Sequence, residues 1–186
     1  TGLIGGDFSP SKDGSRFSQR TDIFEKLYLI KQAELAAMPQ TPISVTLPDG
    51  TVKEGLAYKT SPMDIALSIA KGLADSTVIA KVEYAAKVQV EAIVACDDEG
   101  DSDDENEPDS DSPGELWDMN RPLVGNCKLS LLKFDDPEAK TVFWHSSAHV
   151  LGAAIEATYG CHLTIGPALN DGFYYDAYMG KHTISE

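Results

Sequence analysis

The chain has no long run of apolar residues. No segment approaches the roughly 18 consecutive apolar residues that a membrane-spanning helix needs, and residues 1–20 contain glycine, serine and charge but no apolar signal core. Cysteine is also scarce: the three present, Cys96, Cys127 and Cys161, lie far apart and show no paired metal-ligand spacing. We therefore expect no membrane insertion, secretion or disulfide scaffold, and predict a cytoplasmic protein with reduced thiols.

Lysine and arginine are missing from one stretch, 97–115, which holds eleven acidic residues. The whole chain has 30 acidic and 15 basic residues, a net charge of −15; without this stretch 19 acids oppose the 15 bases, a net of −4. Low hydrophobicity and charge of one sign cannot offset the entropy of ordering. We predict a disordered acidic insertion at about 95–115. A calcium loop is the alternative, but the glycine and terminal Glu that it requires are missing.

The remaining patterns indicate an α+β order. Residues 1–20 have the composition of a mobile terminus. A first helix is predicted from Asp22, with Glu25 as its capping-box partner, to Pro39. Residues 43–60 alternate in polarity around a Pro-Asp-Gly turn, which predicts a β-hairpin.

Further along, Ser61 and Pro62 supply the cap and first position of a second helix, which we expect to reach Leu73, with Gly72 near its end. The pattern then predicts extended chain over 78–94 and an alternating strand over 128–134.

An Ala-rich stretch over 144–160 predicts a helix of about four turns that ends at a glycine. His145 and His149 are four residues apart, so both imidazoles lie on one face, followed there by Gly152 and Glu156. We interpret that stripe as polar and open. The opposite side carries four apolar residues that can be buried: Val150, Leu151, Ala154 and Ile155.

Two histidines at this spacing fit a metal half-site, a general-base pair, a neutral hydrogen-bonded couple or ordinary surface residues. The zinc-protease motif has Glu directly after the first His, and Ser146 stands there, so that interpretation fails. A metal-dependent hydrolase would need a third ligand, and we predict no metal site. The aromatic residues after the turn at 170–172 can line a pocket, stack on a terminal base or pack as a plain strand.

Three strings resemble a known family. ISVTLPDGTV and the following SPMDIALSIAKGLADSTVIAKV resemble the TGS domain, a small ubiquitin-like β-grasp fold of threonyl-tRNA synthetases, some GTPases and stringent-response enzymes. LWDMNRPLVGNCKLSLLKFDDPEAKTVFWHSSAHVLGAAIE is similar to the join between that domain and the editing domain of these synthetases, and TIGPALNDGFYYD is similar to the strand and turn that follow. The resemblance, to the eukaryotic cytosolic type, covers about residues 43–176.

The resemblance implies an α+β chain in three parts. Residues 1–40 form an N-terminal extension with one helix, residues 41–135 a TGS β-grasp domain carrying the acidic insertion, and residues 136–186 the incomplete start of an α+β editing domain. The alternative is a freestanding TGS interaction module without catalysis.

The same resemblance implies a class II threonine–tRNA ligase that uses ATP and hydrolyses mischarged Ser-tRNA. His145 and His149 match its editing histidines, and Gly172, Phe173 and Tyr175 match its substrate pocket; the second half of that site is not matched. No cofactor is expected in this fragment, which should be inactive alone, whereas ATP, Mg and a catalytic-domain Zn are expected for the full enzyme. The implied partners are tRNA(Thr), threonine and ATP, with no membrane and a homodimer formed through the absent catalytic domain.

Overall fold

The computed structural model describes Pro10, residues 14–84 and residues 114–182. Most of the predicted acidic insertion, and the predicted extended chain beyond residue 84, lie outside the described residues. The chain divides into two units, one formed by Thr1–Ala33 with Lys140–Glu186 and the other by Glu34–Ala139. Within the described ranges, none of the helices combines the length and the apolar character that crossing a bilayer requires.

Four helices and nine strands are described. The helices are α1 Ser15–Ala37, α2 Pro62–Ile69, α3 Lys71–Ser76 and α4 Pro137–Tyr159. The strands are β1 Pro42–Thr46, β2 Val52–Leu56, β3 Thr77–Tyr84, β4 Glu115–Trp117, β5 Cys127–Lys133, β6 His162–Leu163, β7 Ala168–Leu169, β8 Gly172–Phe173 and β9 Ala177–Tyr178.

The unit of residues 34–139 contains a five-stranded mixed sheet with the order β2-β1-β5-β3-β4. Strand β5 pairs in parallel with β1 and antiparallel with β3, so the last strand in sequence lies at the centre. The antiparallel β3–β4 pair joins Val82 to Glu115. Helices together with a mixed sheet confirm the predicted α+β class, and the strand predicted over 128–134 is shifted by one residue.

The predicted hairpin is confirmed as β1 and β2. Gly50 has φ +82°, a conformation that glycine adopts without a steric penalty. Both carboxylate oxygens of Asp49 accept hydrogen bonds from Thr51, one from the backbone N–H and one from the hydroxyl, each at 2.9 Å. These bonds, the backbone one first, hold the pKa of Asp49 below its ordinary value.

The predicted start of the second helix is also confirmed. The backbone N–H of Asp64 donates to the Ser61 hydroxyl at 3.2 Å, and the Asp64 carboxylate accepts from the Ser61 backbone N–H at 2.9 Å, which completes a capping box. The prediction of a single helix that reaches Leu73 is wrong, because Ala70 has extended backbone angles that separate α2 from α3. Apolar spacing continues through this break and so does not reveal it.

The predicted first helix is wrong at its N-terminus. Helix α1 starts at Ser15, seven residues before the predicted cap, and the N–H groups of Phe17 and Ser18 donate to the carbonyl of Gly14. Asp22 and Glu25 therefore lie inside the helix and form no capping box. The expectation of little structure over 1–20 is likewise wrong for residues 15–20. The end before Pro39 is confirmed, since α1 stops at Ala37.

The core of the sheet-containing unit centres on Trp117, which is fully buried. Its indole N–H donates to the carbonyl of Arg121 at 2.9 Å, and the Arg121 guanidinium lies 3.7 Å from the ring centroid. Tyr84 packs edge-on against the same ring at 5.6 Å. Apolar side chains from the sheet and from α2 complete this core: Ile43, Val45, Ile65, Ala80, Val82, Leu123 and Leu129.

Candidate active site

Helix α4 presents a stripe of residues spaced four apart to the chain that follows it. Ala148 is fully buried, and Gly152 and Glu156 are also buried. One and two turns before Ala148, the Trp144 ring packs on Phe173 at 5.7 Å and the Lys140 ammonium pairs with Asp171. Because residues four apart share one helix face, the segment that follows α4 packs along one face of this helix.

The Tyr175 ring packs against this stripe at a point where only glycine leaves enough room. A Cβ atom added to Gly152 would lie 2.6, 2.8 and 2.9 Å from three atoms of the Tyr175 ring. A Cβ atom added to Gly166 would lie 2.3, 2.4 and 2.9 Å from the same ring. We call Gly152 and Gly166 the glycine cradle. The interpretation of Gly152 as part of an open stripe is therefore wrong, because the tyrosine ring rests against it.

The prediction that the opposite face of α4 can be buried is wrong for three of its four residues, and the fourth, Ile155, is half-buried. Val150 is 71% exposed and Leu151 is 37% exposed, and Ala154 is exposed as well. These residues line a shallow apolar groove of about 510 Å³ together with Phe143, Ser146, Ser147 and Phe173. Helix α4 thus buries its small residues, because these allow the following chain to approach closely, and leaves larger apolar side chains at the surface.

The two histidines lie side by side along one edge of the buried stripe. Nε2 of His149 lies 2.9 Å from Nε2 of His145, and both side chains are exposed. Only one of these two nitrogens can carry the bridging proton, and the unprotonated Nε2 of the other ring accepts the hydrogen bond. The Tyr175 ring lies beside this pair, with its centroid 6.5 Å from that of His149. The structure therefore brings three of the predicted site residues together.

The other two predicted site residues lie further along the same segment. Phe173 contacts Trp144 and the apolar groove. Gly172 is in β8 next to the turn, has φ +151° and has nothing within 4 Å of a built Cβ. The positive φ, and not a lack of space, therefore favours glycine at position 172. Gly166 was not predicted as a site residue from the sequence, although a glycine close to a strand is a known mark of close backbone approach.

The buried stripe of α4 ends in an ion pair. The Glu156 carboxylate accepts a hydrogen bond at 2.9 Å from the guanidinium of Arg20 in α1. The Glu156 side chain is 11% exposed and that of Arg20 is 61% exposed, so the carboxylate is the more desolvated partner. A guanidinium is a suitable partner for a carboxylate at such a site, since it stays charged at all ordinary pH values.

Among residues 14–84 and 114–182, no group of three or more His, Cys, Asp or Glu side chains is arranged to hold a metal ion. Histidines 145 and 149 supply only two nitrogens, which already share a hydrogen bond with each other.

Residues 43–133 match the family model of the TGS domain, so the chain contains that β-grasp domain and the predicted fold is confirmed.

The chain is also 43% identical over 170 residues to threonine–tRNA ligase, mitochondrial 1, of Arabidopsis thaliana. It is 44% identical over 166 residues to the cytoplasmic threonine–tRNA ligase of Caenorhabditis elegans. These matches cover 90% and 89% of this chain but only 20% and 19% of the relatives. The match to the human threonine–tRNA ligase 1, cytoplasmic, is 41% over 153 residues, covering 82% of this chain and 17% of that protein. The predicted resemblance to threonine–tRNA ligases is confirmed, and the chain spans about a fifth of their length.

Proposed function

We propose that this chain is the N-terminal region of a cytoplasmic threonine–tRNA ligase, which joins threonine to tRNA(Thr) with ATP. The proposal is supported by the TGS domain and by 40–44% identity to such ligases over about nine-tenths of the chain. In this proposal the chain helps to engage tRNA. ATP, Mg, Zn and the homodimer contact belong in this proposal to the catalytic domain of the longer protein.

Within that enzyme, we infer that α4 carries half of a site that hydrolyses serine from mischarged tRNA. Serine lacks one methyl group of threonine, and a difference of this size gives only about 1–3 kcal/mol of discrimination during binding. An enzyme that must exclude serine therefore benefits from a second, hydrolytic step. The observation that carries the proposal is the exposed His145–His149 pair with Tyr175 beside it.

The reaction itself needs one water molecule. Its oxygen attacks the carbonyl carbon of the seryl ester, and the bond from that carbon to the ribose oxygen breaks. The proton that the water loses passes to an imidazole nitrogen and then to the departing ribose oxygen, which leaves serine and uncharged tRNA. An imidazole suits both transfers because its ordinary pKa lies near neutrality. When the substrate binds, the hydrogen bond between the two histidines is broken in this proposal. The second imidazole can then donate a hydrogen bond to the ester.

Tyr175 completes this half of the site in the proposal. An aromatic ring offers an apolar face on which a nucleic acid base can stack, and stacking is worth about 1–3 kcal/mol per base. The terminal adenosine carries the ester, so a ring next to the histidines can place the ester within their reach. In this way Tyr175 binds the adenosine while the histidines act at the ester carbonyl.

The test is to replace His145 or His149 by Ala in the intact enzyme and to measure hydrolysis of Ser-tRNA. We expect deacylation to fall by about 10²- to 10⁴-fold, the range of general acid–base assistance, while threonine activation is retained. Val150→Ala on the same helix is the matched control, because Val150 is 71% exposed and lies outside the histidine pair. Circular dichroism establishes that α4 is intact. Wild-type deacylation in both histidine variants would show that the pair consists of ordinary surface residues.

A further inference from the structure

We propose that Gly152 and Gly166 are positioning residues of the editing site, because together they fix the Tyr175 ring beside the histidine pair. The proposal rests on the proposed function and adds two residues that act through the position of Tyr175. Its basis is the glycine cradle, in which two separate backbone segments meet the same tyrosine side chain.

The two glycines contact a shared part of the ring. The Cδ2 and Cε2 atoms of Tyr175 are within 3.0 Å of the built Cβ position at both Gly152 and Gly166. Real Cβ atoms essentially never approach other heavy atoms so closely. A methyl group at either position therefore has to displace the ring, and both positions must be glycine for the ring to keep its place.

The backbone around the ring is fixed independently of the cradle. The N–H of Asp176 donates to the carbonyl of Ile165 at 2.7 Å, and the N–H of Thr164 donates to the carbonyl of Asp176 at 3.0 Å. These bonds extend the antiparallel pairing of β6 with β9 and set Tyr175 against Gly166. Because the Tyr175 backbone is held on this side, the ring cannot escape a new methyl group by a simple shift of the strand.

The position of Gly152 then links the ring to the histidines. Gly152 lies three residues after His149 on α4, so both are on neighbouring parts of one helix face. The helix itself therefore sets the separation of 6.5 Å between the His149 and Tyr175 ring centroids. If Tyr175 holds the terminal adenosine, this separation determines where the ester meets the imidazoles.

The test uses Gly152→Ala and Gly166→Ala in the intact enzyme. We expect kcat for Ser-tRNA deacylation to fall by about 10²-fold, the effect of a misplacement of about 1 Å, with threonine activation unchanged. The control is Gly72→Ala, the same change in helix α3 at a position with nothing within 4 Å, which should leave deacylation at the wild-type rate.

A double variant separates positioning from a general loss of structure. If Gly152 acts only through Tyr175, Gly152→Ala should slow the enzyme no further once Tyr175→Ala is present. If the glycine change merely damages the fold, the two losses should multiply, which would overturn the proposal. Wild-type deacylation by Gly152→Ala would overturn it as well. In that case a loss in the histidine variants would leave the proposed function intact, whereas wild-type rates in the histidine variants would refute the proposed function itself.

Discussion

Replacing Tyr84 by Phe is expected to make the unit of residues 34–139 more resistant to alkaline unfolding. The Tyr84 hydroxyl accepts a hydrogen bond from the Val124 N–H at 3.3 Å, and its ring packs against Trp117. Burial is the main cause that raises the pKa of Tyr84 from 10.0 to about 12, because a phenolate would be poorly solvated there.

The direction of the effect follows from proton binding. Between about pH 10 and 12 the unfolded chain has lost the phenolic proton while the folded chain retains it. Raising the pH therefore favours unfolding. The contribution of the protonated Tyr84 to the stability of the folded chain is complete below pH 10 and is lost as the pH rises through 12. For ordinary and folded pKa values of 10 and about 12, this linkage, reduced by the partial solvent screening of a half-buried ring, predicts that Tyr84 removes at most about 1 kcal/mol from the free energy of unfolding between pH 9 and 11.

The assay is urea unfolding of the wild-type chain and of Tyr84→Phe at pH 9 and at pH 11. Burial also raises the pKa of Cys127 from 9.0 to about 11. The resulting loss is of the same sign and occurs in both proteins, so the difference between them reports Tyr84 together with its charge interaction with Cys127. Phe keeps the ring contact with Trp117 and removes the hydroxyl; the hydrogen bond from the Val124 N–H is lost with it at both pH values, so the comparison rests on the change between pH 9 and pH 11. Equal losses of stability in the two proteins would refute the assignment of a half-buried phenol with a raised pKa.

Two further changes test the TGS domain. Ser61→Ala removes the side-chain cap of α2 and should lower the free energy of unfolding by about 1 kcal/mol. Ser68→Ala within α2 is the control and should change the free energy of unfolding far less. Urea titration measures both values, and equal effects would contradict the capping role of Ser61. Deleting residues 97–113 should change the melting temperature little, because Val82 and Glu115 are neighbours on β3 and β4 and a shorter connection still joins them. Loss of cooperative unfolding would contradict this.

Local signals in the sequence predicted several elements well. Ser61 with Pro62, the Pro-Asp-Gly turn before Thr51 and the glycine that ends α4 each act through contacts within a few residues, so a sequence window contains the whole interaction. The N–H of that glycine, Gly160, donates to the carbonyl of Glu156 at 2.8 Å, and its φ of +66° explains the residue type.

The candidate site was only partly predictable, because its burial depends on contacts between distant residues. Hydrophobic periodicity scores side chains, and Gly152 has none, so the pattern made the glycine face of α4 look open. The ring that covers it comes from Tyr175, on a different segment. The spacing of His145 and His149 did predict that the imidazoles share a face, since four residues return the helix to the same side.

The central position of β5 has a consequence for how the protein forms during synthesis. Asn126, directly before β5, accepts a hydrogen bond through its side chain from Ser44 in β1, 82 residues earlier in the sequence. A ribosome therefore releases β1, β2 and β3 well before the strand that must be inserted between β1 and β3. Until then those strands have edges that can pair with the wrong partner. Folding of this domain should wait for the arrival of residue 133, and it should be slow because the closing contacts are distant in sequence.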